Sequence, residues 1–309
     1  MCPARRLRRS IPSAAVDVGL VHLPFFAVHP GRRGMPLEIT IHPTSGGPAA
    51  VELRGVTPEL LADRSAAEIA RLPILADGRA CELGEIFAVA GNASDGRLEC
   101  VGDFSRVHRI GEGMLSGEVT VHGNAGRHAG ERLAGGILRI EGTAGDWLAC
   151  GMQGGEVHLR GNAGDNAAAA LPGSRHGMRG GLVVIHGSVG ALAAARLRRG
   201  IVAVAGDAGE AAGLEMRAGT LLVGGRAGRR AGLGMQRGSI VALGPVEIFP
   251  TFLRGAEWEP PMLRLLAGRL QRAGFVPAKA LARRGRWQQW HGDRLAGGRG
   301  EIMQPAAAG

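Results

Sequence analysis

Tyrosine is absent from this 309-residue chain, and aromatic residues of all kinds make up only 4% of it. Sites that bind sugars or single-stranded nucleic acid lean on aromatic stacking, so a polysaccharide-acting or nucleic-acid-binding role is disfavoured. Lysine is almost absent too, Lys279 being the sole one. Nearly all the positive charge is therefore arginine, which reflects base composition better than nucleic-acid recognition. The four cysteines (Cys2, Cys81, Cys100, Cys150) are scattered, with no C-x-x-C pair and no metal-ligand spacing. A reducing cytoplasm fits that usage. No run of about 20 apolar residues exists, which leaves nothing to cross a membrane as a helix. Nor does any G-K-[ST] or nucleophile–base–orienter pattern appear, so no catalytic residue can be named.

What is present is a repeat. The line GEVTVHGNAG (Gly117–Gly126) recurs from Gly136, Gly155, Gly181, Gly200 and Gly219, and GSIVALG closes the series at Gly238; the spacings are 19, 19, 26, 19, 19 and 19 residues. Fixed-period self-similarity decides a fold before any other signal. Two and four residues after each leading glycine stand pairs such as Val119/Val121, Val183/Ile185 and Leu221/Val223. All fourteen such positions are apolar and alternate with other types, the period of a strand with one buried face. Glycines six and nine residues after the leading one (Gly123 and Gly126, Gly142 and Gly145, and onward) read as corners with positive φ. Between them lies a column of small or polar residues (Asp103, Asn124, Thr143, Asn162, Ser188, Asp207) suited to bonding turn backbone. The expected fold is all-β: a parallel β-helix solenoid with coils of 19 residues, stacked at about 4.8 Å into a rod roughly 30 Å long. A flexible Gly-rich linker is excluded, because linkers do not keep every inward position apolar.

The rest of the chain divides around that run. Residues 1–34 carry six Arg and one Asp, half of the net charge of +10; they read as an upstream start or disordered extension, with a targeting segment as the alternative. Residues 35–95 read as a small α+β cap. Its signals are alternation at Leu37, Ile39 and Ile41 and at Val51 and Leu53, a turn through Thr44–Pro48, an N-cap at Thr57-Pro58 and a capping box at Ser65 and Glu68. Such a cap would cover the open end of the rod. Residues 96–248 are the repeat domain. Residues 249–282 read as an extended return and a helix over Met262–Leu270, and 283–309 as a flexible tail.

Two features point to partners. The gap of 26 residues is a seven-residue insertion within Gly164–Gly181, and insertions in solenoids map to loops on the binding side. Its Arg175, His176 and Arg179 read as contacts to a neighbouring protein or shared ligand, against the plainer reading of a solvated bulge. Secondly, outward strand positions change from polar (Glu118, Thr120, His122) to apolar (Val184, Ile201, Leu222, Val241). A strip of that length is unlike a wetted surface; the expectation is coverage by a partner, the alternative being the chain's own C-terminal segment. The histidines give no metal site: His122 and His186 share a column three coils apart, about 14 Å at sheet spacing, too far for one ion.

LGEIFAVAG (Leu83–Gly91), the repeated GNAG line, the loop ending HGMRGG (His176–Gly181) and PTFLRG (Pro250–Gly255) resemble the C subunit of formylmethanofuran dehydrogenase and its counterpart in the formyltransferase/hydrolase complex of methylotrophic bacteria. The resemblance covers about residues 35–270 and implies a non-catalytic scaffold. Its implied partners are amidohydrolase-like and formyltransferase-like subunits, acting in one-carbon metabolism linked to tetrahydromethanopterin and methanofuran. It implies no cofactor in this chain, the metal and the two carriers residing on those partners. The Arg-rich composition suits a high-GC aerobe, hence the formyltransferase/hydrolase version. A related repeat forms the C-terminal domain of the glutamate synthase large subunit, so a spacer domain serving an amidotransferase chain is the alternative. An acyltransferase β-helix is contradicted by the period, which differs from its coils of three hexapeptides.

Overall fold

The computed structural model describes residues 36–41, 47–282 and 285–306; the expectations for residues 1–34 and for the turn at Thr44, Ser45 and Gly46 fall outside them. The described elements run from β1 (Leu37–Ile41) and β2 (Val51–Glu52) through α1 (Pro58–Leu61) and α2 (Ala66–Ala70) to β3 (Pro73–Ala76) and β4 (Arg79–Glu82). A single helical turn, α3 (Leu83–Ile86), then leads into β5 (Phe87–Ala90). Helix α2 starts as its residues demand: Ser65 and Glu68 form the reciprocal capping box, Glu68 Oε2 accepting the Ser65 amide at 2.8 Å. Strands β1 and β2 do not form a hairpin with each other. β1 lies between β5 and the first repeat strand, whereas β2 joins β3, β4 and the short strand Val107–His108 in a separate four-stranded sheet.

The repeats supply β6 (Arg97–Val101), β7 (Val107–His108), β8 (Glu118–His122), β9 (Ile137–Ile140), β10 (Glu156–Leu159), β11 (Leu182–Ile185), β12 (Ile201–Val204), β13 (Thr220–Val223) and β14 (Arg237–Ala242). Apart from β7, these strands follow one another side by side, in parallel, within a thirteen-stranded sheet. Register follows the repeat: Leu138 pairs with Val157, Val183 with Val202, and Leu221 with Ile240. All fourteen inward residues are at most 1% exposed, so the period-two assignment holds at every position. Burying each of the Val, Leu and Ile side chains among them contributes about 1.5–3 kcal/mol.

Two further ladders tie neighbouring repeats. Ala125, Ala144, Ala163, Val189, Ala208, Ala227 and Val246 form a column of parallel bridges. In addition, residues 11, 13 and 15 after the leading glycine take positive φ, as at His128 (61°), Gly130 (67°) and Arg132 (53°). Their amides bond forward, back and forward: His128 to Asp146 O at 2.9 Å, Gly130 to Ile110 O at 2.8 Å, Arg132 to Cys150 O at 2.9 Å. A left-handed residue with a side chain costs on the order of 1 kcal/mol, and these inter-repeat bonds offset it. The glycine columns divide the labour differently from expectation. The leading glycines hold the positive φ, from 73° at Gly136 to 101° at Gly200. Those six and nine residues later do not; they permit close approach, since a Cβ on Gly142 would sit 2.6 Å from Gly123 O and one on Gly228 2.6 Å from Gly209 O. The polar column works across repeats as well: Asn162 Oδ1 accepts the Ser188 amide at 2.8 Å and Asp207 Oδ1 the Arg226 amide at 2.7 Å.

After the repeats come β15 (Leu253–Trp258), α4 (Pro261–Arg272), α5 (Ala278–Ala282), β16 (Trp287–Gly292) and β17 (Arg299–Pro305). The region expected to be a loose tail therefore contains two strands. β17 pairs in parallel with β14, Ile240 opposite Ile302, and continues the sheet; without it the β14 edge would present unpaired backbone. Helix α4 turns Leu263, Leu266, Ala267 and Leu270 onto Val184, Ala203, Leu222 and Val241, the i, i+3, i+4, i+7 stripe of an amphipathic helix. This corrects the partner-covered strip: Val184, Leu222 and Val241 are fully buried, and Ile201 partly so, under the chain's own C-terminal segment.

Candidate partner-binding face

The insertion is localised by its backbone bonds. Ala170 donates to Ala195 O at 3.1 Å and Gly177 donates to Arg196 O at 2.9 Å, so the chain leaves and rejoins the ladder at adjacent points of the next repeat. The intervening residues bulge outward. Ser174 fixes the bulge from within, its Oγ donating to His176 O at 2.8 Å, and Arg196 Nη1 donates to Ser174 O at 3.2 Å. Arg175 and Arg179 are exposed, and His176 is half-buried.

Of the seven residues expected at an interface, the structure leaves Arg175, His176 and Arg179 at the surface, buries Val184, Leu222 and Val241 under the C-terminal segment, and half-buries Ile201 there. It adds residues the sequence pattern did not single out. Arg179, Arg198 and Arg217 occupy equivalent places on successive repeats, their amides donating to Met152 O, Met178 O and Leu197 O at 2.7, 2.9 and 2.8 Å. The signal was available: they stand 19 residues apart, each two before a leading glycine. Burial, followed by the charges of Arg198, Arg217, Arg179 and Arg175, holds the His176 imidazole below its usual pKa. It is therefore neutral near pH 7. Its Nδ1 and the Nε of Arg217 are both buried without a hydrogen-bond partner.

A second polar cluster lies at the other end of the repeats. Glu131, 3% exposed, accepts through Oε2 from Arg109 Nη1 at 2.7 Å and faces His128 Nδ1 at 2.8 Å. Trp147 stacks on the His128 ring, centroids 5.9 Å apart. Cys150 Sγ lies 3.9 Å from the same Nδ1. Glu131, His128 and Cys150 present donor atoms within 4.8 Å of one another, a spacing a metal ion could use. The group fits an ion poorly. The carboxylate oxygen is already shared by Arg109 and His128. Burial and the Glu131 charge push the Cys150 thiol up to about 12, so it remains protonated. The cluster is a buried ion pair, whose charges are expensive unless paired in this way.

A cavity of about 110 Å³ lined by Glu52, Arg54, Pro73, Ile74, Leu75 and Ala80 is well below the roughly 300–1,000 Å³ of sites that enclose a small molecule.

No protein-family model matches the chain. Among curated proteins it is 35% identical over 99 residues to the C subunit of molybdenum-containing formylmethanofuran dehydrogenase 1 of Methanosarcina barkeri, covering 31% of this chain and 33% of that one. It is 31% identical over 97 residues to the C subunit of tungsten-containing formylmethanofuran dehydrogenase 2 of Methanothermobacter marburgensis, covering 30% and 36%. The matched stretch spans about a third of the length of these relatives. Among solved structures, the chain resembles one chain in the crystal structure of the formyltransferase/hydrolase complex (FhcABCD) from Methylorubrum extorquens in complex with methylofuran. That match has a TM-score of 0.80 and 33% identity over 87% of this chain and 99% of the other.

Proposed function

The chain belongs to the family of the formylmethanofuran dehydrogenase C subunit, and from that premise we propose that it is the non-catalytic scaffold of a formyltransferase/hydrolase-type complex. In this reading it holds amidohydrolase-like and formyltransferase-like subunits together. The complex would act in one-carbon metabolism linked to tetrahydromethanopterin and a methanofuran-type carrier. The metal and both carriers would sit on the partner subunits. The observation that carries the proposal is the end-to-end match with a chain of a multi-subunit assembly, at 33% identity over 99% of that chain. The glutamate-synthase alternative has no comparable support.

The repeat run is read as a parallel β-helix of 19-residue coils. Its supports are the in-register parallel strands, the bridge column and the positive-φ ladder, three sets of bonds that tie neighbouring repeats. Such a rod suits a scaffold: it is stiff, buries its own core, and offers repeated outward columns on which different proteins can be placed. A cytoplasmic location accords with the free thiols of Cys81, Cys100 and Cys150; among the described residues, no helix is long and apolar enough to cross a membrane.

Deleting the chain in its native cell tests the role. The amidohydrolase-like and formyltransferase-like subunits should then elute separately on size exclusion, each still folded. Their continued elution as one particle would reject the scaffold reading.

A further inference from the structure

Several arginines of the repeats meet acids on neighbouring repeats. Arg139 pairs with Glu118 at 2.6 Å, Arg196 with Glu215 at 2.8 Å and Arg230 with Glu210 at 3.0 Å. The rung at Arg179, Arg198 and Arg217 differs in that three consecutive repeats hold arginine at one place, two residues before the leading glycine. Among the described residues, no carboxylate lies within 4.0 Å of these three, nor of Arg175, Arg199 or Arg237 beside them. Earlier repeats place Leu115, Ala134 and Gln153 at the same rung, so the fold itself does not require a cation there. Neighbouring rungs are about 4.8 Å apart, close enough for like charges to repel.

Two buried polar atoms share the patch. Arg217 Nε and His176 Nδ1 are shielded from solvent yet bond nothing, a condition native proteins seldom leave uncompensated. A guanidinium that is partly desolvated and lacks an internal acceptor is arranged to receive one from outside. Carboxylates fit, since they accept two parallel N–H donors from arginine.

We propose that the rung Arg179–Arg198–Arg217, flanked by Arg175 and His176 on the insertion bulge, is the docking surface for an acidic face of a protein partner within the complex. The inference rests on the scaffold reading and sharpens it by naming the face and the chemistry of the partner. The arginine rung supplies orientation and encounter rate, and the bulge sets how closely the partner can approach. His176, being neutral, adds no further repulsion within the patch and can donate or accept one hydrogen bond.

The test uses the tagged full chain purified from its native cell with whatever it holds, the partners being identified by mass spectrometry. The triple variant Arg179→Glu, Arg198→Glu, Arg217→Glu is compared with wild type and with Arg226→Glu, an exposed arginine away from the rung. The expected result is loss of at least one acidic-faced protein from the triple variant, an affinity drop of about 100-fold, with an unchanged melting curve. Wild type and Arg226→Glu should retain that protein, and raised salt should release it. If the triple variant fails to fold, the Arg→Gln triple replaces it, with a drop of about tenfold expected. Full retention of partners by a folded variant overturns the inference while leaving the scaffold reading intact. Wild type purifying without amidohydrolase-like or formyltransferase-like subunits overturns both. Retained partners with loss of a bound small anion or nucleic acid also overturns it.

Discussion

The two halves of the repeat run share one interior and differ on the outside. In β8 to β10 the outward positions other than Ile137 are charged or polar and many of them pair: Arg139 with Glu118 and His122 with Glu99 and Glu141 across rungs, and His158 with Glu156 along its own strand. In β11 to β14 the same columns hold Leu182, Val184, Ala203, Leu222 and Val241, and α4 lies over them. The inward columns are indistinguishable, apolar and sealed in both halves. Inward residues thus decide that a repeat forms, whereas outward residues decide what covers it. The first half is left as polar surface, and the second commits its apolar face to the chain's own C-terminal segment.

Substitutions at matched positions sharpen that contrast. The largest effect should come from an inward site, where the halves do not differ. Val204→Asp places an unpaired carboxylate in a sealed core and should cost at least about 4 kcal/mol, read by denaturant unfolding. An equally stable protein would reject the inward assignment. Next come outward residues, where the halves should part. Leu222→Glu lies under α4 and should cost about 3 kcal/mol and expose the C-terminal segment to limited proteolysis. Thr120→Glu, beside Arg139 in the polar half, should stay within about 0.5 kcal/mol of wild type. Equal losses at the two sites would erase the distinction.

Smaller effects follow from the cross-repeat bonds. Asn162→Ala removes the acceptor of the Ser188 amide and should cost about 1 kcal/mol in thermal unfolding; no change would mean that water replaces it. The smallest effect is a pH dependence in the polar half. Burial alone would depress the His122 pKa, but the hydrogen bonds and charges of Glu99 and Glu141 outweigh it, and the folded value is raised. A raised histidine stabilises most below its unfolded pKa of about 6.5 and loses that contribution as pH climbs through the folded value. The stability gap between wild type and His122→Gln should therefore be widest in mild acid and close at alkaline pH. A gap that grows with pH would contradict the ion-pair account.

The repeat, its inward face, the insertion and the Ser65–Glu68 capping box were legible because each is a local pattern with a fixed period or spacing. Other features were hidden for physical reasons. The positive-φ ladder uses His128, Trp147, Ala149 and Arg196, types whose intrinsic preference argues against that conformation; inter-repeat bonding overrides it. Gly142 and Gly228 were legible as obligatory glycines, but whether for φ or for close approach depends on the neighbouring repeat. The β16–β17 strands sit among Arg and Gly residues, and Ile302 and Met303 are buried on opposite faces, which blurs simple alternation. At the candidate face, the apolar strip was visible but its cover was not: a helix of this chain and a separate protein bury apolar area by the same physics. The arginine rung was present in the 19-residue spacing of Arg179, Arg198 and Arg217 but is no repeat-wide pattern, since Leu115, Ala134, Gln153 and Gln236 hold the same column elsewhere.

The central claim is that this chain works as part of an assembly. Affinity purification of the tagged chain from its own cells, with mass spectrometry of the retained proteins, addresses it most directly. The account predicts amidohydrolase-like and formyltransferase-like subunits in fixed proportion to the chain. A chain recovered alone, or with a glutamate synthase partner, would contradict it.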